Sequence, residues 1–531
     1  MRRFRLNAAI VCRRGVSILL CVLACLVLAC GASAKATFGV ADTHPVGMPD
    51  DGAKFFDLMN DVGLQLDRIT VRWDPTHPAR IERRAELQRM LEQATDHEID
   101  IVFSVYPTRA GALSSSRAKT RFVTFLKVLA TAFPSVRTYV VGNEFNQPKF
   151  FQPQFAKNCK SVSGGNYLRL LARGYDALKS VDPDITVISS VSPRGNDDCK
   201  ARSNISISPV RFIRDMGRAF TALHRDRPAF DEFGVHLYPN QPTDSAEKGY
   251  QWPKIGISNL DRLKQALWDA FHRTAQPAPD WQPAALAFGT SADALRPAQI
   301  WEGEVGWQVG VKKGNGSPYY GRENVKVTTE ARQADIYAQV VRMTNCDLLV
   351  DAMNIFGFVD EPDLDRFQAG LLRADWTKRP SYKRVKSAVA AAEDGCQGVP
   401  VQWRHTQSVV GVGVDFGKLR PQSLKQTWWG FTATAKEDAT YTAGVFPIQS
   451  RTLSSTTRAA ILRGLGGRGG AKAALRRRST IAAYWSPIVR FPARTLARGN
   501  YVFAIRINAT MNPGRSRVFV SRPFQVGKPR S

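Results

Sequence analysis

The feature that most constrains this chain is an eightfold alternation. Short runs rich in β-branched residues occur at 36–42, 66–73, 99–106, 136–143, 185–191, 233–238, 298–307 and 352–358. Between them apolar residues recur at i, i+3 and i+4. Phe122, Phe125, Leu126 and Leu129 form one such stripe, Leu168, Leu171, Tyr175 and Leu178 a second, and Leu260, Leu263, Leu267 and Phe271 a third. That spacing gives a helix one apolar face. Eight strands alternating with helices over roughly 360 residues predict an α/β fold, a parallel (β/α)8 TIM barrel. An open doubly wound sheet is the competitor, and no G-x-G-x-x-G follows the first strand to support it.

The chain starts differently. Arg2, Arg3, Arg5, Arg13 and Arg14 precede the apolar run GVSILLCVLACLVLAC, and Ala32 and Ala34 then stand in A-x-A spacing. A basic start, a short apolar run and small residues describe an export signal over 1–34. Cleavage after Ala34 leaves no membrane span in the mature chain. Lipid modification at Cys30 remains open, because VLAC before Gly31 resembles a lipobox loosely. The protein is expected to be secreted or associated with the cell envelope.

The barrel is expected over 35–392 and a linker over 393–402. Residues 403–531 then read as short strands with intervening turns. This predicts an antiparallel β-sandwich, immunoglobulin-like in its strand spacing. Within it 463–480 is rich in Gly and Arg and reads as a loop.

Charge separates the two parts. Residues 401–531 hold 22 Lys or Arg against Asp415, Glu437 and Asp438, a surplus of 19 in a chain of net charge +28. The leader's arginines take most of the remainder, so the barrel is nearly balanced, as suits a neutral substrate. The basic sandwich is either a solvated surface or a site for anionic cell-surface polymer. Export speaks against nucleic acid as its partner.

In such a barrel, groups at the C-terminal strand ends meet around one mouth. Strand four ends in Asn143-Glu144, strand six in His236 and Tyr238, strand seven in Glu304, and strand two in Arg72. Two carboxylates across a pocket suit glycosidic bond cleavage, one protonated and one ionised. Arg72 is expected to keep Glu304 ionised, and the charge on Glu304 to keep Glu144 protonated. Strict alternation gives Glu302 the same strand face as Glu304, one layer deeper. Glu304 is preferred because Gly306-Trp307 follows it.

These motifs resemble clan A glycoside hydrolases. GNEFNQ is similar to their strand-four Asn-Glu signature, WEGEVGW to strand seven, HLYP to the strand-six His-x-Tyr, and TVRW to the strand-two Arg. The likeness spans 36–390, with families 39 and 5 as possible relatives. It implies retaining hydrolysis with Glu144 as acid/base and Glu304 as nucleophile, the carboxyl groups about 5–5.5 Å apart. It further implies that Asn143 binds the sugar 2-hydroxyl, Tyr238 hydrogen-bonds the nucleophile and Arg72 supports it. No metal or organic cofactor is required. Many members end strand eight in a Trp platform. Here Phe356 and Phe358 stand there, which leaves Trp307 or Trp376 as the platform. The alternative function is a non-catalytic carbohydrate-binding or adhesion protein on the same barrel.

The mature chain keeps four cysteines, none in C-x-x-C spacing, so disulfides rather than zinc are expected. Cys159 and Cys199 lie in the loops after strands four and five. Cys346 and Cys396 follow the last two barrel helices. Adjacent placement pairs 159 with 199 and 346 with 396. The loop aromatics Phe150, Phe151, Phe155, Tyr250, Trp252, Tyr319 and Tyr320 either stack on sugar or pack their own loops.

Overall fold

The apolar runs become strands close to their expected bounds: β1 (Thr37–Ala41), β2 (Leu66–Trp73), β3 (Asp100–Pro107), β4 (Thr138–Val141), β5 (Thr186–Ile188), β6 (Glu232–His236), β7 (Gln299–Val305) and β8 (Val350–Phe356). Each is followed, among the described residues, by an α-helix: α1 (Ala53–Val62), α2 (Arg84–Asp96), α3 (Ser116–Ala132), α4 (Ser163–Lys179), α5 (Pro209–Leu223), α6 (Leu260–Phe271), α7 (Glu330–Asn345) and α8 (Pro380–Ala392). The structure is a computed structural model and describes residues 36–280, 299–311, 317–417, 428–467, 469–492 and 496–526. The expected export signal over 1–34, and Cys30 with it, lies outside the described residues.

The strands pair in parallel in sequence order, and β1 closes on β8, with Gly39 opposite Asn354. Outward side chains such as Ile69, Val71, Phe103 and Val105 pack against the helices in one large core. Inward side chains Leu66, Val102, Val140, Ile188, Trp301 and Ala352 form a separate apolar plug. One step nearer the C-terminal strand ends the inward positions turn polar, and there the site begins.

The second unit is a two-sheet antiparallel sandwich. Strands β10 (Trp428–Thr434), β13 (Ile488–Pro492) and β9 (Gly413–Asp415) form one sheet. The other runs β12 (Leu475–Ile481), β11 (Ala439–Ile448), β14 (Gly499–Ala509) and β15 (Ser516–Val520), with β16 (Phe524–Val526) also on β14. Phe431, Phe491 and Phe503 meet between the sheets with ring centroids 5.4–6.5 Å apart. A ninth helix, α9 (Ser455–Gly466), covers the outer face of the larger sheet through Ile461 and Leu465.

The expected loop at 463–480 is therefore corrected. Its start is the last turn of α9, ended by Gly467 at φ +72°. Its end is β12, fully paired with β11 from Leu475 to Ile481. The arginines that read as loop composition are exposed because β12 is an edge strand, where charge blocks pairing with another chain.

The sandwich is fastened along α6. Arg515 binds Glu437 through two hydrogen bonds of 2.6 and 2.8 Å and reaches Asp269 of α6 at 2.9 Å. Thr406 exchanges hydrogen bonds with Gln265, and Arg262 at the start of α6 donates to the Tyr484 hydroxyl at 3.0 Å. Both expected disulfides are present, Cys159–Cys199 and Cys346–Cys396. The second ties the 393–402 segment to the end of α7, where the Val401 N–H also donates to the Cys346 carbonyl at 2.6 Å. Among the described residues, no helix is long and apolar enough to cross a membrane.

Candidate active site

Beta strand β7 builds the site by an irregularity. Strict alternation turns Trp301 inward, Glu302 outward, Gly303 inward and Glu304 outward. The pairing breaks this pattern: Val235 faces Glu302 but His236 faces Glu304, and on the other side Met353 faces Glu302 while Ile355 faces Val305. Gly303 is thus an extra residue, a β-bulge, and it re-aims Glu304 into the barrel mouth. A side chain at 303 would place its Cβ 2.8 Å from the Trp301 ring and 3.1 Å from His236, so only glycine fits. The Asn354 amide donates to the Glu302 carbonyl at 3.2 Å, satisfying a group the bulge displaces.

Glu302 consequently does not share a face with Glu304. It points away from the mouth and accepts a hydrogen bond from Thr344 of α7 at 2.7 Å. Burial, with Asp347 nearby and only Thr344 and Lys264 opposing, pushes it up to about 8.

Glu304 is held by three partners. Arg68 donates to Oε1 at 2.7 Å, the Tyr238 hydroxyl donates to Oε2 at 2.6 Å, and His236 Nδ1 lies 3.4 Å from Oε2. Burial alone would raise this carboxyl. The electrostatic influence of His236 and Arg68, with the hydrogen bonds from Tyr238 and Arg68, outweighs it and holds Glu304 below the usual carboxylate range. Tyr238 is itself pushed well above its ordinary value, by burial and by the adjacent Glu304.

Glu144 faces Glu304 across the imidazole. His236 Nδ1 is 3.0 Å from Glu144 Oε1. Sharing this nitrogen, the two carboxylate oxygens lie no more than 6.4 Å apart, the sum of 3.0 and 3.4 Å. Glu144 sits where β4 ends, at φ +45°, a left-handed backbone uncommon for a non-glycine residue. Its N–H donates to Ser190 Oγ at 3.2 Å, and the same oxygen is 3.3 Å from His236 Nε2. Asn143 beside it accepts from Arg68 at 2.8 Å.

The structure thus brings Asn143, Glu144, His236, Tyr238 and Glu304 to one place. It does not bring Arg72 or Trp307 there as expected. Arg72 does not touch Glu304. Its guanidinium lies over the Tyr106 ring at 4.4 Å and donates to the Pro107 carbonyl at 3.1 Å. Arg68 takes the role, one helical-free step of four residues earlier on the same strand face, and it also donates to Ser104 at 2.8 Å. Trp307 is only 1% exposed, and its indole donates to the Asp244 carbonyl, so its ring is packed rather than offered to a ligand. Trp376 packs edge-on to Phe55 at 6.4 Å, under the Lys54 ammonium.

The open side of the site is a cavity of about 410 Å³ whose lining includes Glu304, Arg68, Tyr106, Phe356 and Phe367. Phe356, Phe367 and Tyr238 form a mutual edge-on cluster with centroids 5.2–5.9 Å apart, an apolar wall at the end of β8. Phe358 is buried against Phe55 instead. Asp42 and His44 line the same cavity, 2.6 Å apart. Burial opposes charge on His44, yet Asp42 and the acidic side chains of the β8 loop raise it to about 9. Of the loop aromatics, Phe151 stacks on Phe145, and Tyr250 and Tyr319 are buried. Phe150 meets Tyr106, which lines the cavity, edge-on at 5.9 Å. Among the described residues, no group of three His, Cys, Asp or Glu is placed to hold a metal ion.

Fold and site together define a (β/α)8 barrel with a glutamate pair at the C-terminal mouth. No protein-family model matches the chain, and no curated protein matches it. Among solved structures it is similar to a family 39 glycoside hydrolase from the gut symbiont Bacteroides cellulosilyticus, at 16% identity and TM-score 0.46 over 86% of this chain and 81% of that one. It is similar to a GH5_18 protein from Streptomyces cattleya in complex with GlcNAc, at 15% identity and TM-score 0.45 over 69% of this chain and 82% of that one. A Bacteroides uniformis β-glucuronidase gives 10% identity and TM-score 0.41 over 93% of this chain and 45% of that one.

Proposed function

We propose that this chain is an exported retaining glycoside hydrolase that cleaves O-glycosidic bonds by double displacement. One observation carries the reading: a glutamate held ionised by Arg68, Tyr238 and His236 shares an imidazole with a second glutamate at the mouth of the barrel. Glu144 Oε1 and Glu304 Oε2 lie within 6.4 Å of each other, which accommodates the spacing of about 5–5.5 Å that a retaining pair uses.

In the first step the Glu304 carboxylate attacks the anomeric carbon while protonated Glu144 gives its proton to the glycosidic oxygen. The C–O bond to the leaving alcohol breaks as the ester to Glu304 forms. In the second step a water loses its proton to Glu144 and attacks the same carbon, and the ester bond returns its electrons to Glu304. Arg68 and Tyr238 fix the attacking carboxylate, one oxygen each. Asn143, whose carbonyl oxygen is committed to Arg68, keeps its amide N–H groups for a sugar hydroxyl. Phe356 and Phe367 give the sugar an apolar wall where a tryptophan was expected. No metal or organic cofactor takes part in these steps. An export signal over 1–34 and two disulfides fit a life outside the cytoplasm.

The test is a panel of aryl glycosides with product anomers followed by NMR, together with 2-deoxy-2-fluoro analogues that trap the ester. A hydrolysed member of the panel should give net retention and a covalent mass increment on a peptide containing Glu304. Net inversion, or a label on another residue, would end the double-displacement reading. A chain that binds sugars but turns over none, with Glu304→Gln indistinguishable from the parent, would favour a binding protein.

A further inference from the structure

We propose that the turn joining β12 to β13 is a binding subsite for an acidic polysaccharide, with Trp485 as the platform for a sugar ring and Arg477 and Arg478 as the groups that hold its anionic substituents. The ligand class rests on the glycosidase reading above; the surface itself does not.

Among the described residues, the sandwich exposes its aromatic residues most at one turn. Tyr484 is 53% exposed and Trp485 67%, with Ile488 at 44% three residues on. The turn that carries them is pinned. The Ala483 N–H donates to the Asp438 carboxylate at 2.8 Å, the Tyr484 N–H to the Ala435 carbonyl at 2.8 Å, and the Trp485 N–H to the Ala482 carbonyl at 3.0 Å. Tyr484 is held at φ +63°, a strained backbone for an aromatic residue. These bonds fix the backbone that carries the indole; exposed aromatic residues grouped on an ordered turn suit recognition.

Cations flank this platform. Arg477 and Arg478 are exposed on opposite faces of β12, both within reach of the strand end, and Arg478 lies about 10 Å of strand from the start of the turn. Arg477 is oriented by a 3.0 Å hydrogen bond to the Arg490 carbonyl on β13, so it spans the gap between the two sheet edges. The unit holds only three carboxylates against 22 cations. Glu437 is committed to Arg515 and Asp438 to the turn itself. Charge on an edge strand also blocks strand pairing, which accounts for the arginines without a ligand. It does not account for Trp485.

The turn is also placed beside the catalytic mouth. The Tyr484 hydroxyl meets Arg262, and Arg262 donates to the Tyr250 carbonyl at 3.2 Å. The Tyr250 hydroxyl donates to the Tyr238 carbonyl at 2.6 Å, and Tyr238 holds Glu304. The turn that carries Trp485 therefore lies on the side of the barrel where β6 leads into α6.

The experiment is affinity electrophoresis in native gels cast with polygalacturonate, alginate or neutral hydroxyethyl cellulose, on a Glu304→Gln background so that no polymer is degraded. The parent should be retarded by at least one of the two acidic polymers, and Trp485→Ala should weaken that association about tenfold, ~1.4 kcal/mol. Trp485→Phe should keep most of it, which separates loss of the ring from misfolding. Arg477→Ala with Arg478→Ala should weaken acidic-polymer binding and reduce its salt dependence, leaving weak neutral-polymer retardation unchanged. No retardation by either acidic polymer, or retardation that survives both substitutions, overturns the proposal. So does equal retardation by DNA that ignores Trp485. With residue 304 intact, aryl-glycoside turnover should be unaffected by Trp485→Ala, so this subsite and the hydrolase reading fail separately.

Discussion

Replacing Arg68 by methionine tests how the site keeps one carboxylate ionised. Arg68 is 3% exposed and donates to Glu304, Ser104 and Asn143 at 2.7–2.8 Å. Without it Glu304 remains buried with only Tyr238 and His236 beside it. Removing one partner of a buried ion pair costs about 3–5 kcal/mol while the other must stay charged. The carboxyl escapes part of that cost by taking a proton, so its pKa rises. A close opposite charge lowers a carboxylate by about 1–3 units, and losing Arg68 should return a shift of that size. The acidic limb of kcat/KM, which reports the free enzyme, should therefore move up by about 1–3 pH units. Stability should follow the same sign. In the parent the folded pKa of Glu304 is depressed. Its contribution is thus present above the unfolded carboxyl value and lost as pH falls through the folded one. The Tm deficit of the variant should be largest near neutral pH and shrink in acid. Arg72→Met is the control. Its guanidinium serves the Tyr106 ring and the Pro107 carbonyl, so the limb should stay in place. An unmoved limb in Arg68→Met, or a moved one in Arg72→Met, would refute the assignment.

Gly303→Ala should abolish turnover while leaving the far-UV spectrum intact, because its Cβ would collide with Trp301 and press on His236; normal turnover would argue against the bulge. Glu302→Gln should raise Tm increasingly from pH 5 to pH 8. The parent's folded pKa of about 8 lies above the unfolded value, so its native state is penalised progressively as pH rises between the two, and a pH-independent difference would contradict this. Arg515→Ala should cost about 3–5 kcal/mol by stranding the buried Glu437, and limited proteolysis should then begin between the barrel and the sandwich; unchanged resistance would show that other contacts suffice. Replacing Cys159 and Cys199 by serine opens a crosslink across a sequence separation of 40 residues and should lower stability by about 3–4 kcal/mol in chemical denaturation.

Much of this molecule was legible in sequence because barrel strands bury both faces and so read as unbroken apolar runs. The strand ends carrying Glu144, His236, Tyr238 and Glu304 followed from counting those runs. What stayed hidden depended on register. Arg68 and Arg72 share a strand face by alternation, and only the extension of β2 past the polar layer separates them. A cation two positions beyond the plug residue Leu66 was the available signal, since a barrel interior has no other reason to hold one. Glu302 and Glu304 were given one face because a bulge has no certain mark in a single sequence beyond the glycine between them. The helix α9 was readable in principle, from Ser454 as its cap and Gly467 as its stop, but Gly and Arg content masked both.

The spare residue in β7 has a practical corollary. It divides neighbouring positions of one strand between two environments: 304 faces the barrel mouth, while 302 and 305 belong to the helical jacket. An engineer who wants a hardier protein can thus work at 302, two residues from the carboxylate at the mouth, and reach the scaffold without laying a finger on Glu304.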